Sequence, residues 1–95
     1  MSENYDSVWD ALIDDPSKRG NMKIRSELLI SISQEIKNSG ETQNHMADVL
    51  GIKQPRVSAL VKGKISMFSV DYLLDIACKL GLQVSIHVDE QAAHG

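Results

Sequence analysis

The stretch from Thr42 to Lys64 constrains the fold of this 95-residue chain more than any other feature. Two short helices that cross through a three-residue turn need three things. These are a small residue at their closest approach, a left-handed residue in the turn, and apolar residues that lock the pair to its domain. Counted from Gln43, the fifth, ninth, fifteenth and eighteenth positions meet these needs, and they hold Ala47, Gly51, Val57 and Leu60. This register predicts a helix-turn-helix with one helix from Gln43 to Leu50, capped by Thr42, and a second from Gln54 to Lys62.

Helical periodicity predicts a long helix before this motif, from about Met22 to Asn38. Its apolar stripe consists of Ile24, Leu28, Leu29, Ile32 and Ile36. Pro16 to Gly20 is interpreted as a loop, and a short helix capped by Ser7 precedes it. The apolar residues of that short helix are Val8, Trp9, Leu12 and Ile13. They suit packing in the core or in a dimer, and the alternative is that this segment docks a basic toxin.

A fourth helix is predicted after the motif, with Ser69 as its N-cap and Gly81 beyond its end. Phe68, just before the cap, is placed to pack on Leu73 as a hydrophobic staple. Cys78 on this helix is expected to be buried.

The last segment changes period, because apolar and polar residues alternate from Leu82 to Val88. Strict alternation is typical of a half-buried strand. A lone strand cannot satisfy its own backbone groups, so its simplest partner is the same strand in a second copy of the chain. The residues predicted to form this dimer contact are Leu82, Val84, Ile86 and Val88.

Charge is distributed unevenly along the chain, whose net charge is −3. Residues 1–20 contain five acids and two bases, whereas no acid lies between Asp48 and Asp71. That stretch carries four bases, Lys53, Arg56, Lys62 and Lys64. A local basic patch of this kind is what contact with nucleic-acid phosphates requires. The sequence therefore divides into an acidic segment at 1–20, a helix-turn-helix domain at 21–81, a strand at 82–88 and a flexible tail at 89–95.

The second helix of the motif is expected to enter the major groove of duplex DNA with its N-terminus first. Its outward residues, predicted to read base edges, are Gln54, Pro55, Arg56, Ser58 and Ala59. Gln54 and Arg56 are the main candidates, because glutamine can bind adenine and arginine can bind guanine through two hydrogen bonds. The residues predicted to contact phosphates are Thr42, Gln43, Lys53, Lys62 and Lys64.

Other functions find little support in the residues. The single cysteine excludes an intramolecular disulfide, and the three histidines share no metal-ligand spacing, so neither a metal site nor a cofactor is expected. His45 is expected to be exposed, with a phosphate contact as the alternative role. No arrangement of a nucleophile and a base suggests an enzyme. The absence of a signal peptide and of a long apolar run predicts a cytoplasmic protein with no membrane contact.

The framework of the motif resembles that of the Cro/repressor-type (XRE-like) helix-turn-helix proteins. The resemblance is closer to the small HigA-like antitoxins. It is carried by Gln54-Pro55-Arg56-Val57-Ser58, by Gly63-Lys64, and by Phe68-Ser69 followed by a helix that ends in Leu80-Gly81. It implies a mainly α, lambda-repressor-like domain of four to five helices, with one short C-terminal β-strand paired across a homodimer.

The same resemblance implies a repressor that binds a palindromic operator in its own promoter. Many such proteins also neutralise a RelE/HigB-like ribonuclease toxin. Two alternatives remain open at this point. One is a stand-alone regulator of phage or host genes without a toxin, and the other is a helical protein-interaction module that does not bind DNA.

Overall fold

The computed structural model describes residues 16–89. Within that range the chain is mainly helical, with α1 at Pro16–Ser39, α2 at Gln43–Leu50, α3 at Gln54–Lys62 and α4 at Val70–Lys79. A single 3₁₀ turn, Ile65–Met67, joins α3 to α4. The predicted bounds of α2 and α3 are confirmed, whereas the short helix predicted after Ser7 lies outside the described residues. None of the helices in residues 16–89 is long and apolar enough to cross a membrane.

The first helix begins earlier than the sequence suggested, and the loop predicted from Pro16 to Gly20 is wrong. Pro16 is the first residue of α1. Proline suits a first helical turn, because the N–H that it lacks has no partner within the helix there. Gly20 costs a helix about 1 kcal/mol relative to alanine. Burial of the later residues of α1, including Ile32 and Ile36, offsets that cost.

The core lies where α1 packs across α3 and α4. Its largest fully buried side chains are all aliphatic, and they are Ile32, Leu50, Leu60, Leu73, Ile76 and Val57. Phe68 is the one aromatic residue among the buried side chains of the described chain. Ile24, expected in the buried stripe of α1, is 38% exposed, because it lies at the edge of this packed face.

Short-range hydrogen bonds fix the helix ends at the predicted residues. The hydroxyl of Thr42 accepts the N–H of His45 at 3.1 Å, and that of Ser69 accepts the N–H of Tyr72 at 3.1 Å. Gly51 has a φ of +70°, as the turn of the motif requires. The following N–H, from Ile52, donates to the carbonyl of Ala47 at 3.0 Å. Both caps and the glycine of the turn are therefore confirmed.

Two side chains on α1 also bond to the backbone of distant segments, which the sequence did not indicate. The guanidinium of Arg25 donates to the carbonyl of Phe68 at 3.2 Å. The hydroxyl of Ser33, a buried residue, donates to the carbonyl of Val61 at 3.2 Å. These bonds hold the end of α3 and the turn after it against α1.

The strand predicted from Leu82 to Val88 is not formed in the single chain, where residues 82–89 have no regular secondary structure. The N–H of Leu82 donates to the carbonyl of Ala77 at 3.0 Å and so completes the end of α4. Val84, Ile86 and Val88 are 37%, 60% and 85% exposed. A strand needs a neighbour to complete its hydrogen bonds, and residues 16–89 contain no other strand to supply one. The strand and its pairing in a dimer remain predictions.

Candidate nucleic-acid interface

The N-termini of α2 and α3 lie side by side, and a direct hydrogen bond joins their first residues. The side-chain amide of Gln54 donates to the side-chain oxygen of Gln43 at 2.7 Å. Both glutamines are half-buried. The fold thus brings together a residue predicted to read a base and a residue predicted to contact a phosphate. The sequence had placed them 11 residues apart with no indication of contact.

Fewer residues of α3 are exposed than the sequence predicted. Pro55 and Arg56 are exposed and Ser58 is half-buried, but Ala59 is only 5% exposed. Because α3 packs against α1 and α2 at the same time, its buried face is wide enough to include Ala59. The assignment of Ala59 as a base-reading residue is therefore wrong.

The guanidinium of Arg56 is already engaged within the chain. It lies over two aromatic rings, 5.2 Å from the centre of Tyr72 and 5.6 Å from that of Phe68. These rings stack on each other with centres 5.4 Å apart. One guanidinium nitrogen of Arg56 also approaches the carbonyl of Met67 at 3.4 Å. Periodicity within α3 does not indicate this arrangement, because the rings lie beyond the end of that helix.

The three lysines predicted to contact phosphates, Lys53, Lys62 and Lys64, are exposed. None of them forms an ion pair with any residue in the described range. The stretch 49–70, which contains α3, holds these three lysines and Arg56 and no acid, so its own charge is positive. Thr42 is exposed, and its hydroxyl hydrogen remains free to be donated while its oxygen caps α2.

The remaining candidate residues lie outside this cluster. His45 is exposed as expected, with its ring 3.6 Å from the carboxylate of Glu41. Cys78 is exposed rather than buried, because Ile76 and Ala77 take the buried face of α4 at this point. Residues 16–89 contain no cluster of three or more histidine, cysteine or acidic side chains that could hold a metal ion.

Comparisons with known proteins agree with this geometry. A family model described as a helix-turn-helix domain matches residues 11–89, which is most of the chain. One solved structure, described as "Putative XRE Family Transcriptional Regulator", is 29% identical, with a TM-score of 0.68. That match covers 76% of this chain and 81% of the other. No curated protein matches the chain. With its paired helix N-termini and a family match over most of its length, the chain belongs to the helix-turn-helix domain family.

Proposed function

We propose that this protein is a sequence-specific, DNA-binding transcriptional regulator of the XRE type, with α3 as its reading helix. The hydrogen bond between Gln43 and Gln54 is the observation that carries the proposal. It joins the first residues of two helices whose dipoles favour an anion such as phosphate at these ends. Lys53 precedes Gln54, and Lys62 and Lys64 lie at the other end of α3. All three are exposed and form no ion pair within residues 16–89, so the helix combines a polar reading group with cations for the DNA backbone.

The bond between the two glutamines leaves each of them with the groups that DNA contact needs. Gln43 accepts with its oxygen and keeps its amide hydrogens for a phosphate oxygen. Gln54 uses one amide hydrogen and keeps the other, together with its oxygen, for the N7 and N6 groups of adenine. Gln43 therefore fixes the orientation of Gln54 before DNA arrives, which lowers the entropy lost on binding.

Arg56 reads guanine in this proposal, although it must first leave the rings that hold it. A cation–π contact at an exposed site is worth about 0.5–1 kcal/mol. A bidentate contact between arginine and guanine contributes about 1–3 kcal/mol of discrimination. The base contact is the stronger of the two, so the guanidinium exchanges the rings for the base.

The test is binding to a duplex from the region upstream of the gene and to a scrambled duplex, at several salt concentrations. Gln54→Ala should weaken binding to the upstream duplex by about 1–3 kcal/mol and leave the scrambled duplex unaffected. Lys62→Ala should weaken both duplexes alike and reduce the slope of log K against log salt by about one. Lys18→Ala is the matched control, since this exposed lysine lies at the far end of α1 from Gln43.

The proposal fails if wild-type protein binds both duplexes equally well at every salt concentration. It also fails if Lys18→Ala changes the salt slope as much as Lys62→Ala does. The chain would then bind DNA without using α3, or act as a helical protein-interaction module.

We further propose that the protein acts as a homodimer on a palindromic operator, through pairing of residues 82–88 from two copies. The exposed, apolar side chains of Val84, Ile86 and Val88 support this arrangement. Ile86→Asp should yield a monomer in sedimentation and lose most of the affinity for an operator whose half-sites lie about 34 Å apart. Ser85→Asp adds the same charge on the other side of the segment and should leave the dimer intact. An Ile86→Asp protein that still sediments as a dimer would place the interface elsewhere.

Repression of its own promoter and neutralisation of a RelE/HigB-like ribonuclease toxin complete the proposal. Its support is the resemblance of the stretch from Gln54 to Ser58 and of α4 to the HigA-like antitoxins. Co-expression with the product of any small neighbouring gene, followed by co-purification and a growth assay, is the test. If no neighbouring product binds the protein or is neutralised by it, the protein is a stand-alone regulator.

A further inference from the structure

An open groove of about 640 Å³ runs between the N-terminal half of α1 and the C-terminal end of α3. Met22 and Ile30 of α1 and Val61 of α3 contribute to its apolar lining. Ile30 is 56% exposed, which is a large exposure for an aliphatic side chain in the middle of a helix. The groove therefore presents apolar surface that would gain free energy if it were covered.

The charged residues that the described part of the chain places on the rim of the groove are all basic. Arg19 and Lys23 line it from α1, and Lys62 lines it from the end of α3. None of the lining residues within 16–89 is acidic. An occupant that combines apolar side chains with several carboxylates would match both the floor and the rim.

We propose that this groove holds the N-terminal segment of the same chain, residues 1–15. The segment contains five acids and no base, so its charge is opposite to that of the rim. Its apolar residues recur at helical spacing and would supply the surface that covers Ile30, and they are Val8, Trp9, Leu12 and Ile13. The helix α4 also combines two acids with an apolar stripe, but that stripe is already buried in the core.

The connection to α1 places the segment next to the groove. Residue 15 joins Pro16, the first residue of α1, and Arg19 on the rim follows within one helical turn. Residues 7–13 would span about 10 Å as a helix, and the part of α1 between Arg19 and Ser33 spans about 20 Å. Reversal of the chain at Asp14 and Asp15 would therefore lay the apolar residues along the groove without stretching the chain.

Trp9 provides a direct test, because it is the only tryptophan in the protein. In the full-length protein we expect blue-shifted emission from Trp9 and weak quenching by acrylamide. Ile30→Glu places a negative charge in the groove, which repels the acids of residues 1–15. As the Trp9 ring becomes exposed, its emission should shift to the red and its quenching constant should rise about twofold or more. Val49→Glu is the matched control, since Val49 is 53% exposed on α2 and does not line the groove.

Circular dichroism and thermal melting should show that both variants remain folded, because both replaced side chains are exposed. Wild-type quenching equal to that of a free tryptophan derivative would overturn the proposal. Quenching that does not change in Ile30→Glu would overturn it too. Emission that depends on protein concentration would assign the segment to a second copy instead. The result does not depend on DNA binding, so this proposal and the proposed function can fail separately.

Discussion

If Arg56 moves from two aromatic rings to a base when DNA binds, replacing one ring should change the affinity for DNA. The direction of that change, tighter or weaker binding, tests the movement. In the free chain the guanidinium lies 5.2 Å from the centre of the Tyr72 ring. If Arg56 leaves this ring to read guanine, the ring stabilises only the free protein. Tyr72→Leu should then tighten binding to the operator, even though it removes an attractive contact.

The magnitude follows from the strength of the lost contact. An exposed cation–π pair contributes about 0.5–1 kcal/mol, which corresponds to about a two- to fivefold tighter dissociation constant. Phe68 keeps its own contact with the guanidinium, at 5.6 Å, so the lower end of this range is the better expectation. Tyr72 is half-buried, and its loss should also lower the melting temperature, because its stacking on Phe68 is removed.

The assay is the dissociation constant for the operator duplex, measured well below the melting temperature of every variant. Tyr72→Phe is the control, since it keeps the ring and tests whether the hydroxyl itself touches DNA. Weaker binding by Tyr72→Leu, with Tyr72→Phe unchanged, would refute the reasoning. The ring would then hold Arg56 in its binding position rather than away from it.

Three further predictions concern the fold and are checked by denaturant or thermal unfolding. Gly20→Ala should stabilise the protein by about 0.4–1 kcal/mol, because Gly20 lies inside α1 with open space around it. A loss of stability would indicate that residues 16–20 form a loop rather than part of α1. Gly51→Ala should destabilise it by about 1–2 kcal/mol, because a φ of +70° strains any residue with a Cβ, and an unchanged melting temperature would contradict this. Ser33→Ala should cost about 1–3 kcal/mol, because it leaves the carbonyl of Val61 without this donor, whereas the exposed Ser31→Ala should have little effect.

The sequence by itself determined the elements that depend on near neighbours. The bounds of α2 and α3 could be predicted because a cap such as Thr42, or a left-handed glycine such as Gly51, acts on groups only a few residues away. The spacing of the helix-turn-helix was predictable for the same reason. Its small, turning and apolar positions all fall within one short stretch of chain.

Only the tertiary structure decided which surfaces remain free. Ala59 is buried because α3 contacts α1 and α2 together, and Arg56 lies on the rings of Tyr72, which is in α4, and of Phe68, two residues before that helix. The hydrogen bond from Gln54 to Gln43 likewise joins two helices whose crossing brings them together. Periodicity indicates which residues share a face of a helix. It does not indicate how much of that face neighbouring elements cover, because they come from distant parts of the chain.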